Sequence, residues 1–408
     1  METKEYRLGE LAKFSNGINF DKEAYFGNGI RLITVSDFGN NFSPAYESLI
    51  EVSNEVVKEK DLISKNDILF VRSNGNKELV GRCMLIDNVD KPTTYSGFCI
   101  KCHFDNEELT NPKYFTYYFK NQYFRKCISN ASGGTNIQNL NQEILSKHKV
   151  QLLPLHTQQK IASILSAYDN LIQNYKKQIE ALQTAASELY KEWFVRFRFP
   201  GWQTTNFENG IPEGWKVERI GALYDSTSGG TPSREHEEYF QNGTYPWIKT
   251  GELKDSPILE TEESISDEAI KHSSAKLFEK DSLIIAMYGA TIGQLGINKM
   301  RATCNQACCV LRPKRDKAFG IYYLFHFFKE NREFIIGLGN GVAQQNLSQV
   351  LINKLKIVNP NKEILEIFEK KESLFFEKIY HLQQQITNLT QQRDLLLPRL
   401  MSGKLEVR

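Results

Sequence analysis

The sequence predicts an α+β chain. Two homologous units of mixed helix and strand are related by pseudo-two-fold symmetry, and each is followed by one long helix. Three observations lead there. An internal repeat comes first: "GGTNIQNLNQ" at 133–142 returns as "NGVAQQNLSQ" at 340–349, with Gly134, Gln138, Asn139, Leu140 and Gln142 matching Gly341, Gln345, Asn346, Leu347 and Gln349, each 207 positions later. A heptad stripe of apolar residues lies in both halves. A Gly/Pro/Asn-rich joint separates the first helix from the second copy.

The first unit spans 1–153. Its Tyr25-Phe26 and Asn28-Gly29 match Tyr239-Phe240 and Asn242-Gly243 at an offset of 214. "KNDILFVRSNG" (65–75) matches "EKDSLIIAMYG" (279–289), again at 214, and Val80-Gly81 matches Ile292-Gly293 at 212. The drift down to 207 implies small loop insertions within one fold. "DILFVR" (67–72) and "SLIIAMY" (282–288) are short apolar runs ending near Gly, read as strands. "PKYFTYYFKNQYFRKCI" (112–128) and "GIYYLFHFFKENREFII" (320–336) are aromatic-rich with a helical period, read as core helices. Asn139 and Asn346 are expected as helix N-caps, in front of the strands of "KHKVQLL" and "NKLKIVN". Backbone groups at such a helix start can also hold a phosphate, and Gln138 and Gln345 are weaker candidates for the same kind of contact.

The first long helix covers 154–199. Tyr168, Ile172, Tyr175, Ile179, Leu182, Ala186, Leu189 and Trp193 recur at 4-3-4-3-4-3-4 spacing, the seam of a coiled coil. Adding 207 gives Phe375, Ile379, Leu382, Ile386, Leu389, Arg393, Leu396 and Leu400; Arg393, the sequence partner of Ala186, alone breaks the apolar pattern. A lone helix with one apolar stripe is marginal in water, so the two stripes are expected to bury each other. The joint "PGWQTTNFENGIPEGW" (200–215) contains the linker, 200–210. The second unit spans 211–359, and the second long helix with the C-terminal tail 360–408.

Composition narrows the class. With 40% hydrophobic and 25% charged residues the chain is that of a soluble globular protein. The charged start "METKEYRLGELAKF" lacks the apolar core of a signal peptide. No apolar run is long enough to span a membrane, and seven scattered cysteines suit free thiols in a cytoplasmic setting. A net charge of +2 shows no general basic excess, so any nucleic-acid contact must use local patches or a partner. "CIKCH" (99–103) matches a haem-attachment pattern, but positions i and i+3 of a strand face opposite ways. "CNQACC" (304–309) lacks zinc spacing. There is no phosphate loop, no convincing Gly-rich cofactor loop or nuclease carboxylate cluster, and "NPKY" (111–114) lacks the second proline of an adenine methyltransferase motif. The chain reads as non-catalytic.

Five segments in this order carry a resemblance: "LPLHTQQKIASIL" (153–165), "ELYKEWFVRFRF" (188–199), "IPEGWKVERIGAL" (211–223), "YGATIG" (288–293) and "RDLLLPRLMSGKL" (393–405). Together they resemble the specificity (S) subunit of type I restriction–modification systems over nearly the whole chain. The resemblance implies that each globular unit is a target recognition domain reading one half of a split double-stranded DNA sequence. It implies that the two helices form an antiparallel coiled coil, which spaces the domains and docks two modification (methyltransferase) subunits and up to two restriction (translocase/nuclease) subunits. No cofactor is expected in this chain; S-adenosylmethionine, ATP and Mg belong to the partners.

Spacing suits that role. The seam runs 25 residues from 168 to 193, roughly 38 Å at 1.5 Å per residue, near the ~34–36 Å of one B-DNA turn. The frame is shared while the loop side chains differ. After the first matched strand stand Arg72, Ser73, Asn74, Asn76 and Lys77; after the second, Tyr288, Ala290, Thr291 and Gln294. Arg can fork onto guanine, Asn or Gln onto adenine, and Thr and Ala methyls can touch thymine. A further set is Ser36 and Asp37 with Lys249, Thr250 and Glu252, and Thr231 and Ser233 are candidates for phosphate. The plain alternative is that all of these are solvated loop residues. Rival readings of the chain are a coiled-coil protein scaffold without DNA readout and a stand-alone methyltransferase or nuclease.

Overall fold

The computed structural model describes residues 4–21, 24, 29–39, 41–76, 78–131, 139–314, 320–339 and 346–407, with the side chains of 129–131 outside the description. The chain divides into two compact units, Met1–Gln173 with Asn388–Arg408, and Asn174–Thr387.

In the first unit β1 (Lys4–Arg7) runs through a single turn, α1 (Leu8–Leu11), into β2 (Ala12–Asn16). Strands β3 (Gly29–Ile33), β4 (Ile50–Ser53), β5 (Ile68–Val71), β6 (Cys83–Leu85), β7 (Thr93–Tyr95) and β8 (Cys99–Phe104) follow. Then come α2 (Pro112–Lys120), α3 (Gln122–Ala131), α4 (Gln142–Lys147), β9 (Lys149–Leu152) and the long α5 (Leu155–Tyr190), which belongs to the second unit from Asn174 on. The sheets are β2-β8-β5-β6, β4-β3-β7 and the pair β1-β9.

The second unit opens on the hairpin β10 (Phe207–Glu208) and β11 (Ile211–Pro212). Its turn residues Asn209 and Gly210 both have positive φ, 52° and 81°, the backbone that an Asn-Gly turn adopts most readily. There follow β12 (Lys216–Arg219), α6 (Ile220–Leu223), β13 (Tyr224–Ser228), β14 (Tyr245–Ile248), β15 (Ser256–Ile258), β16 (Ser264–Ile265), α7 (Asp267–Lys271), β17 (Leu283–Ala286), β18 (Leu295–Asn298), β19 (Thr303–Cys304) and β20 (Cys308–Pro313). Next come α8 (Ile321–Glu330), α9 (Arg332–Leu338), α10 (Gln349–Lys354), β21 (Lys356–Asn359) and the long α11 (Lys362–Met401), which belongs to the first unit from Asn388 on. Its sheets are β13-β20-β17-β18-β15, β16-β14-β19 and β12-β21. The first unit's plan is repeated strand for strand, with the hairpin β10-β11 added in front and β15 at one edge.

The geometry corrects the repeat by one residue at the central strand. Phe70 faces Cys83 and Ile285 faces Leu295, an offset of 215 rather than 214. Burial agrees: Ile68 and Phe70 enter the helix-side core, as Leu283 and Ile285 do, while Leu69 and Val71 enter the opposite core, as Ile284 and Ala286 do. A one-residue slip would send every side chain to the other face, which the shared Asp-x-Leu letters could not reveal. Each aromatic segment forms two helices, broken at Asn121 and at Asn331. Their rings pack in the cores, with Phe119 4.9 Å from Phe70 and Phe124 4.7 Å from Phe119. Cys99 and Cys102 do face opposite cores.

The long helices run antiparallel where they meet. In the first unit Asp169 of α5 pairs with Arg393 of α11. In the second, Ala186 lines a small cavity with Phe376 and Ile379, and Trp193 lies 5.9 Å from Phe368. All sixteen seam positions are buried or half-buried. Beyond Tyr190, α5 widens into a π-helical turn, Lys191–Val195, which carries Trp193 and Phe194 into the second core.

Arg393 breaks the stripe for a visible reason. Its Nη1 meets Asp169 Oδ1 at 2.5 Å, and Tyr117 of α2 donates its hydroxyl to Asp169 Oδ2 at 2.5 Å. The repeat counterparts of Tyr117, Asp169 and Arg393 are His326, Phe376 and Ala186. There the junction is aromatic: the rings of His326 and Phe376 stand 6.3 Å apart, and Tyr190 stacks on His326 at 5.5 Å. His326 turns its polar edge to Glu372 instead, Nε2 to Oε2 at 2.9 Å, with both side chains at most 1% exposed. Burial pushes the Glu372 carboxyl up to about 8 and the His326 imidazole down to about 3. The contact is therefore a hydrogen bond between neutral groups, not an ion pair. Glu369 accepts the N–H groups of Tyr322 and Tyr323 at the start of α8 (3.3 and 2.7 Å) and is pushed up to about 7 by burial.

Two outcomes follow. Arg393→Met leaves the Asp169 carboxylate largely buried without its cation and should cost about 3–5 kcal/mol, whereas Asp169→Leu with Arg393→Met should regain most of it; urea denaturation of the full chain checks this, and a double variant no better than the single one would contradict it. The second outcome concerns pH. Glu372 and Glu369 keep protons in the fold that the unfolded chain loses near 4.5. The opposite contribution of His326 is complete by its ordinary 6.5. Stability of the second unit should therefore fall as pH rises from 6.5 to about 8, and Glu372→Gln should flatten the slope; a melting temperature rising over that interval would refute it.

Candidate nucleic-acid interface

In each unit one tight turn organises the loops. In the first it is Ser96–Phe98, between β7 and β8. Ser96 N–H donates to Ile33 O (2.9 Å), Ile18 N–H to Tyr95 O (3.3 Å), and Arg72 N–H to Phe98 O (2.7 Å), and Gly97 N–H further donates to Ile18 O (2.7 Å). The ends of β2, β3 and β5 thus meet at this turn. In the second unit Asn305 N–H donates to Ile248 O (2.9 Å), Gly230 N–H to Cys304 O (2.9 Å), and Met287 N–H to Ala307 O (2.8 Å). Gly17 and Gly229 permit the approach: a Cβ on either would lie 2.2–2.3 Å from carbonyl oxygens of the turn.

The loop after the central strand is closed alike in both. Val71 N–H bonds Arg82 O and Gly81 N–H bonds Val71 O, both at 2.9 Å; Ala286 with Gln294 and Gly293 with Ala286 repeat this at 2.9 Å. Gly81 and Gly293 share φ +77°, where a Cβ is strained. Only the contents differ, with three more residues in the first loop.

The segment repeated at an offset of 207 holds these loops from behind. Leu140 N–H donates to Arg72 O (2.8 Å) and Leu347 N–H to Met287 O (2.7 Å), and both leucines are buried. This corrects the expected caps. Residues 139–140 are tied to the loop, with Ser73 bridged to Asn139, so α4 and α10 begin two residues later. Their caps are Asn141, accepting from Ile144 N (2.8 Å), and Ser348, accepting from Leu351 N (3.1 Å). Gln349 donates to Ser226 O (2.9 Å) and accepts from Ser228 Oγ (3.1 Å). Gln142, its amide oriented to suit its neighbours, donates to Phe14 O and accepts from Asn16 N, both at 3.2 Å. Gly134, Gln138, Gly341, Gln345 and Lys77 lie outside the described residues.

The candidates separate into two groups. Arg72 lies beside the turn, Nη1 to Gly97 O at 3.5 Å. Asn74 Oδ1 accepts from Asn76 N (2.7 Å) and Asn76 Oδ1 from Glu78 N (3.0 Å), folding the loop. Ala290 is exposed, Thr291 and Gln294 are half-buried, and Tyr288 packs partly on the core. Thr231 Oγ1 bonds Gln306 Oε1 at the turn itself, and Ser233 Oγ accepts from Glu235 N (3.3 Å). Other candidates serve the frame. Asp37 Oδ2 accepts from Thr34 N and Glu252 Oε2 from Lys249 N, both at 2.7 Å, closing equivalent 3-10 turns at Val35–Asp37 and Thr250–Glu252. Lys249 Nζ is held by Glu262 (2.7 Å) and Glu263 (3.1 Å), which raise its pKa. Ser36 is exposed, with Oγ 2.6 Å from Thr34 Oγ1, and Thr250 is half-buried at the start of its turn.

Sequence reasoning missed the organising turns themselves, with Asn16, Asn19 and Phe98 in the first unit and Gln306 in the second. The signal was present: "YSGFC" and "CNQAC" align at 209 and end on matched cysteines. Burial pushes the thiols of Cys99 and Cys309 up to about 12, which makes them inert core groups. Among the described residues no group of three His, Cys, Asp or Glu side chains is placed to hold a metal ion, and no helix is long and apolar enough to cross a membrane.

The family model for the type I restriction modification DNA specificity domain matches the chain twice, over residues 1–184 and 212–393. The specificity subunit of the type I restriction enzyme MjaIX from Methanocaldococcus jannaschii is 29% identical across 98% of this chain and 92% of its own length. That of HindI from Haemophilus influenzae is 25% identical across 98% and 99%. A crystal structure of the type I restriction–modification S subunit from M. genitalium shares the fold, with TM-score 0.63, 16% identity, and coverage of 98% and 96%. Two copies of the specificity domain, spanning most of its length, place the chain in the family of type I restriction–modification specificity subunits, which recognise DNA and catalyse nothing themselves.

Proposed function

We propose that this chain reads a bipartite, asymmetric double-stranded DNA target with a fixed spacer, each unit taking one half-site. The observation that carries this is the contrast between frame and loop. Three main-chain hydrogen bonds at each organising turn, and those of Leu140 and Leu347, recur at equivalent positions in both units, while the side chains they present do not. A protein-only scaffold has no need to hold two differing sets of loops on one repeated frame.

The long helices dock two modification subunits and up to two restriction subunits, which bring S-adenosylmethionine, ATP and Mg to a cytoplasmic complex. Leu171, Leu374 and Leu395, each more than a third exposed on those helices, are apolar positions such a partner can cover. With a net charge of only +2, the chain draws part of its phosphate affinity from those partners.

Band shifts with the assembled chain and modification subunit, on the target found by mapping methylated adenines, test the reading. Changing the spacer by two base pairs should weaken binding at least ~10-fold, and affinity should fall steeply with salt. Arg72→Ala should cost about 1–3 kcal/mol of discrimination at one base pair of one half-site and leave the other unchanged. Equal affinity for every sequence and spacer would reject the proposal in favour of a scaffold.

A further inference from the structure

We propose that Phe98 is a specificity-determining residue of the first unit, contacting the 5-methyl group of a thymine in the major groove next to a guanine taken by Arg72. The inference rests on the DNA-reading function proposed above and names the base that one side chain recognises.

Phe98 ends the organising turn and is 55% exposed. Its backbone is not loose. Its carbonyl accepts Arg72 N–H (2.7 Å), its N–H donates to Ser96 Oγ (3.3 Å), and the residues flanking the turn, Tyr95 and Cys99, are 1% and 0% exposed. The ring is thus held out from a rigid point rather than from a slack loop. Its surroundings are polar. The Arg72 guanidinium lies against Gly97 O, and Asn19 Oδ1 lies 2.3 Å from where a Gly97 Cβ would stand, so Gly97 gives that amide its place beside the turn. A fixed, exposed ring among an Arg and an Asn has few apolar groups to meet. On the base edges of the major groove the apolar group is the thymine methyl, and the preferred partner of Arg is guanine.

The second unit answers differently at the same position. Ala307 replaces Phe98 and is 7% exposed, while Gln306 replaces Gly97 and is exposed, tied to Thr231. The apolar contact therefore belongs to one half-site only.

The test uses the assembled chain and modification subunit on the mapped target, with each thymine replaced in turn by uracil, which lacks only the methyl. Wild type should lose about three- to fivefold in affinity at one thymine of the Arg72-dependent half-site, the worth of one buried methyl. Phe98→Ala should weaken the normal target and become indifferent to that uracil, Phe98→Leu should stay sensitive, and all three proteins should respond alike to uracil in the other half-site. If Phe98→Ala keeps the uracil response, or wild type shows none in that half-site while still preferring its target, the assignment of Phe98 is overturned and DNA reading stands. If wild type binds all sequences alike, both fall.

Discussion

The structure depends on the antiparallel packing of two long helices, because each compact unit is closed by segments of both helices. The first unit's core contains Ile161, Ala162 and Leu165 of α5 together with Leu400 of α11. The second contains Trp193 and Phe194, from the end of α5, with Leu365, Phe368 and Phe376 of α11. The first unit is therefore not a contiguous stretch of sequence: its apolar centre lacks a wall until residues near 400 are in place. The pairing is also specified polarly. Asp169 and Arg393 sit where the other copy has Phe376 and Ala186, so either helix segment set against its own repeat would bring a charged group against an apolar one.

On that base the two units keep a common frame and vary what it presents. The frame is made of main-chain bonds: the turn that gathers three strand ends, the glycine-closed loop after the central strand, and the buried leucine whose N–H holds that loop from behind. Main-chain bonds tolerate changes of side chain, so the loop contents can diverge while the loop stays in place. Glycines mark where this is strict. At Gly17 and Gly229 the strand passes so close to the turn that no Cβ fits.

Much of this was legible in the sequence. The repeat announced two similar units, and the heptads announced the seam, including the position that breaks it. What stayed hidden was geometric. A one-residue difference in strand offset leaves the letters nearly as well matched but exchanges the faces, so the register emerged only from Asn66 and Asp281 sharing a positive φ and from which residues each core buries. Arg393 was visible as an exception, yet its partner lies 224 positions away. Asp37 and Glu252 look like surface acids and are the caps of paired turns. The turns around Phe98 and Gln306 share only a faint sequence match, and their importance comes from three hydrogen bonds that join residues remote in sequence.

The C-terminal helix completes the first unit. Amide hydrogen exchange on the full chain carrying Leu400→Asp tests it most directly. Protection should be lost in α2 and in the first half of α5, far from the substitution in sequence, with the strands of the second unit unchanged. Loss confined to the last turns of α11 would contradict it.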